Sequence, residues 1–121
     1  MDCQLEVHEQ SEMIEIGPID HISVGQGRCV VAAGRRIAVF RLRDGRLYAL
    51  DNRCPHRAGP LSDGIVGIDH GSRLAAVVCP YHSFKFALAD GRGLDTELHV
   101  RSYPLEIRDG RIYVDLRQNH G

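Results

Sequence analysis

The segment Ile37–Asn52, IAVFRLRDGRLYALDN, decides the fold class. Two short apolar-rich runs, Ile37–Leu42 and Leu47–Asn52, flank the dipeptide Asp44-Gly45. An Asp-Gly pair between two such runs signals a β-hairpin, because a tight type I′ turn needs positive φ at both central positions. The same pattern continues outward in both directions. Cys29–Ala33 precedes it across Gly34, and Leu74–Val78 reads as a buried strand. His99–Ile107 and Arg111–Leu116 flank a second hairpin signal, Asp109-Gly110. Asp63-Gly64 and Asp90-Gly91 mark further turns. Helical signal is weak, and Pro18–Ile22 fits one short turn. Many short strands with Gly-rich turns predict an all-β fold, a small antiparallel barrel or sandwich.

The chain has 121 residues, the length of one domain, and can bury its own core. Its net charge is −1, which argues against a nucleic-acid binder held by bulk electrostatics. The longest apolar run is Leu74–Cys79, far short of a membrane span, and no secretory signal is evident. No second catalytic domain is expected, so any chemistry is expected to fit on one small fold or to happen on a partner. Charge is uneven: residues 1–27 hold six acids and no Lys or Arg, while the remainder holds ten acids and fifteen bases. The expected organisation is an acidic arm over 1–12, one domain over 13–117 and a short tail over 118–121. The arm reads as a solvated segment; the sharper alternative is an arm lying on a basic surface of this subunit or a partner.

Two loops carry metal-binding chemistry. One is Cys54-Pro55-His56, and the other is Cys79-Pro80-Tyr81-His82. Thiolate is soft and anionic, imidazole neutral and borderline, so the four side chains suit zinc or iron. Zinc fingers group their two Cys and then their two His. Here each loop mixes the two types, which suits a two-iron cluster with both Cys on one iron and both His on the other. The proline after each cysteine stiffens a loop whose remaining amides are available to the cluster sulfurs.

CPH…CPYH resembles the C-x-H…C-x-x-H motif of the Rieske family at all four ligand positions, within a resemblance spanning about Ile14 to Leu116. It implies an all-β Rieske-type antiparallel barrel or sandwich with a cluster-binding subdomain of two loops, 53–64 and 79–91. It implies a [2Fe–2S] cluster with Cys54 and Cys79 on the inner iron and His56 and His82 on the outer, near the surface. No substrate site and no catalytic residue are expected on this chain, which transfers one electron at a time. At this length neither an oxygenase domain nor a membrane anchor is expected, so the resemblance points to the small soluble ferredoxin-like group and an expected cytoplasmic setting.

High-potential members of the family carry an extra Cys in each loop; the matching positions here are Gly59 and Tyr81, so that disulfide cannot form. They also carry a Ser and a Tyr whose hydroxyls donate to sulfur, where this chain has Phe84 and Phe86. Such hydrogen bonds stabilise the reduced cluster, so their loss predicts a low potential, on the order of −150 to 0 mV.

Twenty-two residues separate His56 from Cys79, a long connection whose extra length is expected as a polar hairpin tip within Gly64–Arg73. That connection, GPLSDGIVG (59–67) and VRSYPLEIRDGRIYV (100–114) resemble the small subunit of NAD(P)H-dependent assimilatory nitrite reductase. This implies a large-subunit partner carrying siroheme and flavin. The alternative is a stand-alone ferredoxin between a flavoprotein reductase and an oxygenase. Arg53, Arg57 and Lys85 flank the ligands, either as solvated charges that offset the cluster or as a collar for an acidic partner. Cys29 reads as a buried thiol and Cys3 as an exposed one, with no disulfide between them. His8, His21, His70, His99 and His120 lack motif context and read as surface residues.

Overall fold

A strand with large apolar residues on both faces must be covered twice, and Ile37–Phe40 is such a run. The computed structural model describes residues 13–54, 59–80 and 84–116. The described residues form ten strands: β1 Met13–Pro18, β2 Gln26–Ala32, β3 Arg35–Arg41, β4 Leu47–Asp51, β5 Ile65–Ile68, β6 Ala75–Val78, β7 Lys85–Ala87, β8 Ser102–Tyr103, β9 Leu105–Arg108 and β10 Arg111–Asp115. They form three antiparallel sheets, ordered β2-β3-β4-β8, β1-β10-β9 and β5-β6-β7.

The first of these sheets is the middle of the molecule. Ile37, Val39 and Ala49 point into one buried cluster with Ile14, Ile112 and Val114 of the β1-β10-β9 sheet. Ala38, Phe40 and Leu50 point the other way, into a cluster with Val77 and Phe86 of the β5-β6-β7 sheet. Successive residues of a strand face opposite sides, so β3 divides its side chains evenly between two cores. The all-β antiparallel sandwich expected from the sequence is the observed fold, with β5-β6-β7 as its subdomain. Among the described residues no helix is long and apolar enough to cross a membrane.

The turns follow the expected chemistry at one hairpin and depart from it at another. Asp109 (φ 51°) and Gly110 (φ 76°) both take left-handed conformations, as a type I′ turn requires. At Asp44-Gly45 only Gly45 (φ 95°) does so. There Gly45 N donates to Leu42 O at 3.0 Å and Leu42 N to Arg46 O at 2.9 Å, giving the longer hairpin loop closed by a left-handed glycine. Asp44 is used differently: its carboxylate accepts from Arg46 N and Nε. The second left-handed pair is instead Ala33 (φ 52°) and Gly34 (φ 80°), between β2 and β3.

The single strand expected over His99–Ile107 is two strands in different sheets. Tyr103 pairs with Ala49 in the central sheet, whereas Leu105 pairs with Val114 in the β1-β10-β9 sheet. Pro104 lies between them and has no amide hydrogen to continue a ladder. The Gly64–Arg73 connection also differs from a polar tip: Ile65–Ile68 is strand β5, paired with β6, and Asp69–Arg73 alone forms the tip. A one-turn 3-10 helix at Ile19–His21 matches the expected short turn, and a second lies at Leu61–Asp63. The acidic arm 1–12 and the tail 118–121 lie outside the described residues.

Gly91 is fixed on two counts. Its φ is 77°, and a Cβ there would sit 1.8 Å from the Val100 carbonyl oxygen. Gly45 has a similar φ but open space around it. Gly45→Ala is therefore expected to cost about 1–2 kcal/mol, the left-handed penalty alone. Gly91→Ala should cost at least about 2 kcal/mol more, because backbone must shift as well. Equal losses in denaturant unfolding would contradict this assignment.

Candidate metal centre

Cys54 lies three residues beyond the end of β4, and Cys79 directly follows the last residue of β6. Their backbone environments are alike. Cys54 N donates to Gly59 O at 2.8 Å, and Cys79 N donates to Phe84 O at 2.9 Å. Each cysteine thus closes a loop on the carbonyl five residues ahead. His56 and His82, with Arg57 and Tyr81, fall inside these loops but lie outside the described residues.

The two cysteines are 0% and 2% exposed and belong to one buried cluster with Leu61, Val77, Phe86 and Leu88. Neither is in a disulfide, and Cys29, half-buried on β2 rather than fully buried, is not in one either. Two thiols in an apolar wall are a soft donor pair. As thiolates they need a cation to offset buried charge, which a metal centre supplies. Phe86 is fully buried in the same wall and Phe84 packs against it, so neither position offers a hydroxyl to a sulfur.

The loops are braced against each other from below. Asn52, two residues before Cys54, accepts from Ser62 N through Oδ1 at 2.7 Å. This ties the Leu61–Asp63 turn to the exit of β4. Gly64 then passes so close to β6 that a Cβ would lie 2.3 Å from Val78 O, one residue before Cys79. Sequence reasoning missed Asn52; its signal is an acceptor-bearing residue at a strand end where a following turn has an amide to satisfy.

The expected basic collar divides into unlike parts. Lys85 Nζ donates to Asp69 Oδ1 at 2.8 Å, bridging β7 to the β5–β6 tip. That hydrogen bond, with those from the Ser72 amide and hydroxyl, holds the Asp69 carboxyl down at about 2. Asp69 in turn raises the Lys85 ammonium above its ordinary value. Lys85 is therefore committed within the chain, whereas Arg53 is exposed. His21, His70 and His99 are exposed, as expected of surface residues.

Residues 12–115 match the Rieske-like [2Fe–2S] domain family. The chain belongs to that family. The cofactor is accordingly a Rieske-type [2Fe–2S] cluster. The chain is 39% identical over 95 residues to 4β-methylsterol monooxygenase of Methylococcus capsulatus, covering 67% of this chain but 23% of that enzyme. It is 32% identical over 89 residues to the ferredoxin component of a naphthalene 1,2-dioxygenase system from Pseudomonas aeruginosa, covering 72% of this chain and 79% of the relative. Among solved structures, one described as an NADH-dependent nitrite reductase small subunit from Mycobacterium tuberculosis superposes with a TM-score of 0.78 at 36% identity. That superposition covers 84% of this chain and 92% of the other.

Asp69 has a folded-state value below the ordinary 3.8, so its stabilisation is complete above about 4 and is lost as pH falls towards 2. Asp69→Asn is expected to lower the thermal midpoint at pH 6, with the gap from the parent protein narrowing below pH 4. A gap independent of pH would show that the charge of Asp69 is not what matters.

Proposed function

We propose that this Rieske electron-transfer chain works as the small subunit of an NAD(P)H-dependent nitrite reductase, relaying single electrons beside a large subunit that carries siroheme and flavin. The observation that carries this reading is the match to the nitrite reductase small subunit from Mycobacterium tuberculosis, which is nearly end to end on that chain. The second reading, a ferredoxin serving an oxygenase, is favoured by the naphthalene dioxygenase ferredoxin component, of which this chain covers 79%. The sterol monooxygenase matches over about a quarter of its length, so its activity gives no guide to this chain alone.

Cys54 and Cys79 would hold the inner iron, and His56 and His82 the outer. Bound there, the cluster supplies reversible one-electron chemistry. The chain's own residues do the rest. The Cys54–Gly59 and Cys79–Phe84 backbone bonds fix the main chain of the two cysteines. Leu61, Val77 and Phe86 keep water from their inner side. Phe84 and Phe86 withhold the hydroxyl donors that would raise the potential. The reading needs no bound substrate, and the domain it uses is the 13–117 unit.

Dithionite-reduced protein purified without oxygen should give a rhombic EPR signal with mean g below the free-electron value. Cys54→Ser and His82→Ala should abolish it, since each removes a ligand. One equivalent of zinc with no such signal would overturn the assignment. Redox titration should give a midpoint on the order of −150 to 0 mV, with Phe84→Ser raising it by roughly tens of millivolts. A midpoint above about +150 mV would contradict the donor argument. Co-purification of a siroheme flavoprotein supports the nitrite reductase reading, and co-purification of an oxygenase supports the second.

A further inference from the structure

A cleft of about 720 Å³ opens beside the first cysteine loop. Its wall contains Arg35, Arg36, Arg53 and Arg101, together with Asp51 and Tyr103. Backbone pairing places these residues side by side. Asn52 N donates to Arg36 O at 3.0 Å and Asp51 N to Arg101 O at 2.9 Å, so β4 leaves the central sheet between the two arginine-bearing segments. Arg53 is the next residue, immediately before Cys54.

The one carboxylate in the wall is already engaged. Tyr103 Oη donates to Asp51 Oδ1 at 2.6 Å and accepts from Arg35 Nη1 at 3.2 Å. Among the described residues, Arg36, Arg53 and Arg101 have no carboxylate within ion-pair distance, and all three are exposed. Three guanidiniums held on rigid, adjacent backbone without an acceptor form a concentrated positive field. Guanidinium forks bind carboxylates in planar, bidentate fashion. Lys85, by contrast, is ion-paired with Asp69 on β5-β6-β7.

We propose that this cleft seats a carboxylate-rich segment of the protein that exchanges electrons with the cluster. The proposal rests on the electron-transfer reading above. An acidic segment lying on Arg36 and Arg101 would meet Arg53 at the foot of the Cys54 loop. The partner would then be oriented by the scaffold rather than by the metal ligands, and charge complementarity would act mainly on encounter and register.

The test uses the full-length protein with its cluster confirmed by EPR, and a fluorescein-labelled octaglutamate peptide as probe. The peptide should bind at low salt, octaglutamine should not, and affinity should fall steeply with added salt. Arg36→Gln combined with Arg101→Gln should weaken peptide binding about tenfold or more while leaving the EPR signal and midpoint unchanged. Unchanged affinity in that variant would overturn the proposal. Inorganic pyrophosphate displacing the peptide at far lower concentration would make the cleft a small-anion site, and would also overturn it. So would peptide binding seen only after Glu6, Glu9 and Glu12 are changed to Gln, because the occupant would then be this chain's own acidic segment. Absence of the Rieske signal would instead defeat the electron-transfer reading, and the binding measurement is independent of it.

Discussion

Ile37 and Val39 face one core while Ala38 and Phe40 face the other, so the central sheet exists only when both outer sheets are in place. Burying a side chain such as Phe40, which has no exposed surface, stabilises by about 1.5–3 kcal/mol. Losing either outer sheet would forfeit several such terms at once. The metal-binding loops inherit this dependence. One cysteine leaves the central sheet and the other leaves the sheet packed on it, and both end in the core shared by the two sheets. Their spacing is therefore a property of sheet packing. Neither loop has to define it alone.

The same dependence explains why small backbone features near the loops are tightly constrained. Gly64 must let the Leu61–Asp63 turn approach Val78, and Asn52 must satisfy the Ser62 amide. These contacts join the exit of β4 to the exit of β6 without any covalent link between the loops. In a chain whose loop positions Gly59 and Tyr81 rule out a stabilising disulfide, non-covalent bracing takes that part.

The sequence made the β class, the strand at Ile37–Leu42 and the Asp109-Gly110 hairpin legible, because each depends on local pattern. It also made the Rieske-type cofactor legible, because ligand chemistry needs Cys and His at short spacing; of the four expected ligands the described residues include Cys54 and Cys79, which share one buried cluster. It misled at Asp44-Gly45, where the Asp side chain found a better use in bracing Arg46 than in a left-handed backbone. Pro104 was visible, yet that the strand changes sheets there depends on which sheet each half finds, a long-range matter. Strand β5 was obscured because Ile65 and Ile68 are 73% and 53% exposed and Gly67 interrupts the run. Its pairing with β6, rather than side-chain burial, makes it a strand. Asn52 could not be singled out, since its partner lies in a turn ten residues away.

Charge near the loops is likewise set by pairing and not by sequence proximity. Lys85 is close in sequence to the second motif, yet the antiparallel β5-β6-β7 arrangement brings the Asp69 tip against it and cancels its field. Arg36 and Arg101 lie far from either motif in sequence, yet the ladder through Asp51 and Asn52 carries them to the foot of the first loop. A reader of charges along the chain would assign the positive surface to Lys85. A reader of the ladder assigns it to Arg36, Arg53 and Arg101. Because Arg36 lies in β3 and Arg53 and Arg101 lie just outside β4 and β8, the backbone that carries them is tied to the central sheet beside Cys54, and that is the condition for a charged surface to steer an electron partner to one loop.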